Sequence, residues 1–414
     1  MNKEYHLTKS KTFCMAPWVH LHTTPTGVAA PCCISQSIST VNGVGNSKTQ
    51  SLMEIVNSKQ MKQLRLDMIH EVPNTECTTC YDQEEVNINK SSIRSSREQL
   101  NINYEDYYNE ALSNTTLDGA VTEFKMKYFD IRFNNICNFK CRSCASEFST
   151  QWEQEDIKSK VVYARIIPKN DNPKFLQEVV DQIQFMETAY FAGGEPLITV
   201  EHYILLEEMI KQNRTDIILR YNTNLSNLKF KDKDLLGLWK HFKHKIHLSA
   251  SIDHYGDRAE YIRHGTDWAT VEENFTQVKK TSYVQLTINT VLSVFNILTI
   301  HEFYQYLIEK QLYNSKDHTN TLYNMTNPLH ISSLILPYEY KLKGKDSLEK
   351  CVKLLKDNNF KIKHIEQPEQ SLTWLFSKNI WDQQKDKFRS EIQRLDNIRG
   401  EDFSKTFPEL AGLL

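Results

Sequence analysis

No uninterrupted apolar stretch in this 414-residue chain reaches the length needed to span a membrane. The opening "MNKEYHLTKSK" is polar and lacks the apolar run of a secretory signal. Neither charge is in excess, since 50 Lys and Arg stand against 52 Asp and Glu, a formal net charge of −2. That balance removes the electrostatic reason to propose nucleic acid or an anionic membrane as a partner. No internal repeat is present. What remains is a cytoplasmic globular protein of ordinary make-up, 40% hydrophobic and 25% charged. Its length suits two or three domains, or one large α/β domain with additions.

Cytoplasmic thiols stay reduced, so the nine cysteines are better read as metal ligands than as disulfides. Eight of them fall in tight groups: Cys14, Cys32 and Cys33, Cys77 and Cys80, and Cys137, Cys141 and Cys144. Cys351, in "LEKCVKLLK", lies on an apolar helical stripe and reads as core.

Residues 1–97 form the first unit. "PWVHLHTTPTGVAAPCC" reads as two short strands around a turn in which Gly27 supplies a positive φ. "SLMEIVNSKQMKQLRLDMIHE" follows, with Leu52, Ile55, Val56, Met61, Leu64 and Met68 at helical spacing. The Cys-x-x-Cys of "ECTTC" closes the unit. Residues 98–120, rich in Asn, Tyr and Glu, read as a linker. From 121 to 335 strands alternate with amphipathic stretches. The strands are "FKMKYFDIRF", "TAYFAG", "DIILRYN", "KIHLSASID", "VQLTINTVLS" and "LHISSLIL". Six strands with helical crossovers predict a parallel, barrel-like α/β sheet, with chemistry at the C-terminal strand ends. Residues 336–414 are polar, Lys-rich and helical in pattern.

Directly after the first of these strands comes "NNICNFKCRSC", three cysteines in eight residues. Structural metal sites use four protein ligands, whereas three leave one coordination position open for chemistry. Cysteine thiolates are the usual ligands of a cubane iron–sulfur cluster, and three of them leave one iron available to a small molecule. The bland alternative is a zinc knuckle with a distant fourth ligand.

The Cys-x₃-Cys-x₂-Cys triplet, with four further stretches in order over about 121–335, resembles the radical S-adenosylmethionine (SAM) superfamily. The resemblance implies a partial (β/α)₆ TIM-like barrel in which Cys137, Cys141 and Cys144 hold a 4Fe–4S cluster. SAM would chelate the unique iron and be cleaved reductively to a 5′-deoxyadenosyl radical that abstracts hydrogen from the substrate. "FAGGEP" matches the family's Gly-Gly-Glu-Pro motif, placing Gly193, Gly194, Glu195 and Pro196 at the SAM amino group. The same residues also suit a strand-to-helix turn with proline in the first helical turn. "YNTNLS" offers Asn222 and Asn224 as hydrogen-bonding groups. "SASID" and "YIRHG" offer Ser251 and Arg263 for the SAM carboxylate or ribose, with Arg258 a rival to Arg263, and Asp253 as a further cofactor-binding candidate that also suits a helix cap. "NTVLSVFN" falls where the family places residues near the adenosine. The family often has a bulky residue before the third cysteine. Here it is Ser143, which leaves the adenine contact to another group such as Phe139.

The run Cys14-x₁₂-Gly27-x₄-Cys32, followed by Cys77-x₂-Cys80, resembles the twitch and SPASM domains that accompany many radical SAM enzymes. By that resemblance Cys14, Cys32, Cys77 and Cys80 hold a second, auxiliary 4Fe–4S cluster, with Cys33 an adjacent competitor. A structural Cys₄ zinc site is the alternative. Such units usually follow the barrel, and this one precedes it. His20 and His22 alternate along a strand beside the auxiliary cysteines, while His241, His244 and His247 read as a solvated face rather than a metal triplet.

The resulting expectation is a radical SAM oxidoreductase acting on a peptide or protein by oxidation or cross-linking. Its partners would be that substrate and an electron donor such as flavodoxin or ferredoxin. The alternatives are a twitch-type dehydrogenase of a small polar alcohol and a non-catalytic zinc-binding module. "DNIRGEDFSKTFPEL" near the C-terminus resembles tails of related proteins and points to no mechanism.

Overall fold

The computed structural model describes residues 3–40, 43–85, 93–161, 172–242 and 245–414. It divides into two compact units, Met1–Asn135 with Ile167–Arg220, and Ile136–Ile166 with Tyr221–Leu414.

In the first unit the predicted hairpin is present as His20–Thr23 and Val28–Ala30, paired antiparallel. Its turn needs glycine twice over. Gly27 has φ +87°, and a Cβ there would fall 2.7 Å from Asn46 Oδ1. The helical stretch that follows is broken in two, Leu52–Val56 and Lys59–Ile69, because Ser58 caps the second helix by accepting from the Met61 N–H. All six apolar residues expected on its inner stripe are buried.

His20–Thr23 also pairs in parallel with Tyr128–Ile131, His22 opposite Asp130, and Tyr128–Ile131 pairs in parallel with Thr188–Phe191. The N-terminal segment therefore continues the sheet of the residues after 121 rather than standing apart from it. The intervening stretch, expected as a linker, is helical over Ile93–Asn103 and Tyr108–Ser113, with Tyr104, Tyr107, Tyr108 and Ala111 buried. Its polar side chains hold distant parts of the chain. Asn101 Oδ1 accepts from the Met15 N–H at 2.9 Å, and the Trp18 indole donates to Thr115 Oγ1 at 2.8 Å.

Within the strand Ile218–Thr223 the chain passes from the first unit to the second. There Ile246–Ser251, Val284–Leu292 and Thr321–Asn324 run parallel in that order. The helices Gly256–Ile262, Trp268–Lys279 and Ile300–Glu309 lie between them in the chain.

Five of the six expected strands lie where they were read, and the sixth does not. "LHISSLIL" forms two 3₁₀ turns, Leu329–Ile331 and Ser333–Ile335, and the strand is Thr321–Asn324 upstream. Ser332 Oγ caps the second turn by accepting from the Leu334 N–H at 3.4 Å. Ile331, Leu334, Ile335 and Leu336 are all buried, and a short run buried all round looks like a core strand in sequence.

The C-terminal extension is helical as expected, with long helices Tyr338–Asp357, Ile362–Phe376 and Trp381–Arg399, then Phe403–Thr406 and the 3₁₀ segment Pro408–Leu413. Cys351 is fully buried on the first of these. The fold is mixed α/β with a large parallel sheet and a helical C-terminal region. Among the described residues no helix is long and apolar enough to cross a membrane.

Candidate functional site

The first cysteine group lies wholly in the first unit. Cys14 precedes the single helical turn Ala16–Val19, and the Ala16 N–H reaches its sulfur at 3.5 Å. Cys32 and Cys33 follow Val28–Ala30, Cys77 ends the turn Thr75–Cys77, and Cys80 lies in the first turn of Thr78–Glu85. Burial pushes up all four of Cys14, Cys32, Cys77 and Cys80, the last two to about 12. After burial, sulfurs act on sulfurs: Cys33, Cys14 and Cys77 on Cys32, Cys14 and Cys80 on Cys77, and Cys14 and Cys33 on Cys80. Four thiols from three chain segments thus lie within electrostatic reach of one another. Cys33 differs, because after burial the charges acting on it are those of Asp130 and Arg132.

Polar side chains tie the three arms together. Arg97 donates to the carbonyls of Ser10 and Phe13 at 3.0 and 3.1 Å and pairs with Glu84 at 3.0 Å. Glu76 accepts from the Ser35 hydroxyl and from the Ser37 N–H at 3.0 Å, joining the Cys77 arm to the Cys32 arm. Four soft sulfur donors suit an iron–sulfur cluster. As they stand, no three His, Cys, Asp or Glu side chains among the described residues are grouped closely enough to hold a metal ion.

Next to Cys33, His22 Nδ1 lies 2.7 Å from Asp130 Oδ2, both side chains being almost wholly buried. Burial pushes the Asp130 carboxyl up, but the His22 hydrogen bond and the charges of His22 and Arg132 outweigh it and hold the group below its usual value. The sequence offered His22 as one of an alternating pair but gave no sign of its partner.

The Gly-Gly-Glu-Pro stretch follows Thr188–Phe191. Gly193 has φ +123°, and a Cβ there would meet the Arg132 side chain at 3.4 Å. Glu195 is buried, and its Oε1 caps the short 3₁₀ turn Pro196–Ile198 by accepting from the Leu197 N–H at 3.0 Å. The turn reading of this motif is therefore realised. Gly194 and Pro196 line a cleft with Arg132, Phe133 and Asn134.

The three-cysteine loop lies in the second unit, and four of the sequence stretches meet there. Asn224 Nδ2 donates to Asn138 Oδ1 at 3.0 Å, and Asn138 donates to Ser226 Oγ at 2.9 Å. Lys140–Cys141 forms a short antiparallel ladder with Arg263–His264, Arg263 opposite Cys141. Arg263 Nη1 reaches Cys141 Sγ at 3.8 Å, and its Nε donates to Asp253 Oδ2 at 2.8 Å. Asp253 in turn accepts from the Val291 N–H at 2.8 Å, and its carbonyl accepts from Asn296 Nδ2 at 3.0 Å. Gly265 has φ +106°, and a Cβ would fall 2.9 Å from the Asn138 carbonyl oxygen.

Burial raises the Cys141 thiol, with the Arg263 charge opposing it, and raises Cys144 to about 12, with Cys141 adding to the effect. Arg263 is held charged. Burial works against its charge, but Asp253 and Cys141 more than offset that. Its rival Arg258 is engaged elsewhere, with Glu409 at 2.7 Å and Thr299 Oγ1 at 2.8 Å. Phe139 is buried at 2% exposure beneath the loop. Ser251 ends its strand opposite Asn289, and Asn222 is half-buried near the end of Ile218–Thr223. His241 is exposed, His247 is half-buried in Ile246–Ser251, and His244 lies outside the described residues.

Residues 14–81, a segment that includes Cys14, Cys32, Cys77 and Cys80, match the family model of SPASM, an iron–sulfur cluster-binding domain. Solved structures similar to the chain include anSMEcpe with bound AdoMet and the Cp18Cys peptide, at 18% identity and a TM-score of 0.38. That alignment covers 54% of this chain and 59% of anSMEcpe. Others are Streptococcus suis SuiB bound to its precursor peptide SuiA, at 14% identity, TM-score 0.34 and coverages of 64% and 57%, and TYW1 with a lysine-pyruvate adduct bound, at 15%, 0.32, 56% and 72%. The chain thus spans less than two thirds of the length of the first of these structures. No curated protein matches it.

Proposed function

We propose that this chain is a radical SAM enzyme with an N-terminal auxiliary cluster, acting on a peptide or protein substrate by hydrogen abstraction. The observation that carries the reading is the convergence at Cys141. Stretches around Asn224, Asp253, Arg263 and Asn296, far apart in sequence, are joined by hydrogen bonds to the loop bearing Cys137, Cys141 and Cys144. When bound, the 4Fe–4S cluster and SAM supply one-electron cleavage of a sulfonium to a carbon radical. The protein's own part is to hold and to exclude. Cys137, Cys141 and Cys144 are the cluster ligands in this reading, and the Arg263 charge favours the thiolate of Cys141 that metal binding requires.

Gly193, Gly194, Glu195 and Pro196 supply a turn open to a ligand ammonium group, and Asn222 and Ser251 add hydrogen-bonding groups. Asn224, Asp253 and Arg263 act through the loop they brace. Phe139, in the cysteine loop itself, remains the aromatic group offered for the adenine contact in this reading. The SPASM match supports Cys14, Cys32, Cys77 and Cys80 as ligands of a saturated second cluster, with roles in electron transfer or support.

Anaerobic reconstitution tests the reading. The expected result is about eight irons per chain, little zinc, and 5′-deoxyadenosine when the dithionite-reduced protein meets SAM. Stoichiometric zinc with no iron uptake sinks it.

A further inference from the structure

The stretch "DNIRGEDFSKTFPEL", which suggested no mechanism in sequence, sends two side chains to the cysteine loop and a third to the helix that follows it. Arg142 lies between Cys141 and Cys144, and its side chain is 1% exposed. Its Nη2 is 2.5 Å from Asp396 Oδ1 and 2.6 Å from Glu401 Oε2. The guanidinium also sits 3.7 Å over the Tyr261 ring, whose hydroxyl donates to the same Asp396 oxygen at 2.7 Å. The other Glu401 oxygen is 2.7 Å from His264 Nδ1, and His264 lies opposite Lys140 in the short ladder.

On the other side of Cys141, Lys140 Nζ is 2.5 Å from Glu155 Oε2, and Arg399 Nη2 is 2.7 Å from Glu155 Oε1. Arg399 covers the Trp152 ring at 4.7 Å, and the Trp152 indole donates to the Cys141 carbonyl at 2.7 Å. Both cations that flank Cys141 are thus held, directly or through one carboxylate, by the end of the helix Trp381–Arg399.

The helix end is shaped for this. Gly400 takes the left-handed conformation, φ +68°, and the Glu401 N–H returns to the Asp396 carbonyl at 3.1 Å, so both carboxylates face one guanidinium. Earlier charges on the same helix pair locally, Lys385 with Asp382 and Lys387 and Arg394 with Glu391. Pairs of that kind contribute little. The loop has little regular structure of its own beyond the two residues Lys140–Cys141.

We propose that residues 396–401 are a positioning clamp for the cysteine loop, in which Asp396 and Glu401 act through Arg142, and Arg399 acts through Glu155 and Lys140. A buried guanidinium stripped of its carboxylates is an uncompensated buried charge, which is strongly destabilising. In this proposal the cost is relieved by movement of Arg142 toward water, with the backbone of Cys141 and Cys144. None of the clamp residues touches a reacting atom. The iron readout of the test rests on the function proposed above, and the exchange readout does not.

The test uses the full-length chain with Asp396→Asn and Glu401→Gln together, a change that keeps side-chain size and removes both charges. Hydrogen–deuterium exchange is measured before any iron is added. Residues 137–148 are expected to exchange about tenfold faster than in the unaltered protein, while Ile246–Ser251 and Leu52–Val56 are unchanged. After anaerobic reconstitution and reduction, the electron paramagnetic resonance signal of the 14–81 cluster should persist while that of the three-cysteine cluster shifts or disappears.

Lys387→Ala, which breaks a local pair on the same helix, should leave both readouts unaltered. Unchanged exchange at 137–148 overturns the clamp, as does acceleration spread evenly over the chain, or a three-cysteine signal identical to the unaltered protein's. If the double variant does not fold, Glu401→Gln alone is judged by the same criteria. An unaltered protein that makes no 5′-deoxyadenosine would defeat the proposed function and leave the exchange result standing.

Discussion

The two cysteine groups are built on opposite plans. Cys14, Cys32, Cys77 and Cys80 come from three separated segments, and their position depends on arms knotted by Arg97, Asn101 and Glu76. Cys137, Cys141 and Cys144 come from one short loop, and their position depends on neighbours that reach in from elsewhere: Asn224, Arg263, Trp152 and Gly265. The electrostatics differ too. On Cys32 and Cys77 the charges that act after burial are largely those of other thiols, whereas Cys14 feels Arg97 and Glu84, and Cys141 has Arg263 Nη1 3.8 Å from its sulfur. In the proposed reading the first group holds a saturated cluster and the second a cluster with one open position.

Breaking the loop group should have the largest effect. Changing Cys137, Cys141 or Cys144 to Ala is expected to abolish 5′-deoxyadenosine formation under dithionite, while iron bound by 14–81 remains. Detectable product from these variants would refute the ligand assignment. Breaking the other group should be milder for that reaction, since Cys77→Ala should spare some SAM cleavage and block productive turnover. Within that group, Cys32→Ala should lose the auxiliary cluster's absorbance and Cys33→Ala should keep it, because Cys32 is the one coupled to Cys14 and Cys77. Equal loss from both would show that the coupling does not mark the ligand.

Next comes Asp253→Asn, which leaves the half-buried Arg263 without its anionic partner and should cost on the order of 3 kcal/mol in urea unfolding. Gly265→Ala should cost about 1–2 kcal/mol from its left-handed backbone and close approach, and should slow SAM cleavage without touching the 14–81 cluster. The smallest effect is on pH dependence. Burial holds Cys77 and Cys80 at about 12, above the usual thiol value of about 8.5. The folded, metal-free chain therefore keeps protons that the unfolded chain releases. Its stability should be full below about pH 8.5 and fall as pH rises toward 12. Iron uptake, which displaces those protons, should improve over the same range. Urea midpoints and iron uptake at pH 7.5 and 9.5 separate the two trends.

Local patterns carried much of this into the sequence. Thiol spacing marked both groups, Gly27 marked the hairpin, and period and burial marked five strands. The sixth strand was misplaced because the run 331–336, buried throughout, has the same composition as a core strand. Residues 98–120 read as a linker because Asn101 and Thr115 work through single hydrogen bonds to residues roughly a hundred positions away, and such bonds have no local signature. The same holds for Asp396 and Glu401, whose partner Arg142 lies more than 250 positions earlier. The pairing of His20–Thr23 with Tyr128–Ile131 was hidden for the same reason.

That pairing also bears on how the protein is made. The strand that opens the cluster-binding segment leaves the ribosome long before its neighbour, since His22 waits 108 residues for Asp130. Contacts so distant along the chain form late and slow folding. A separately expressed 1–97 fragment would leave the His20–Thr23 edge without the neighbour that covers it, an invitation to self-association.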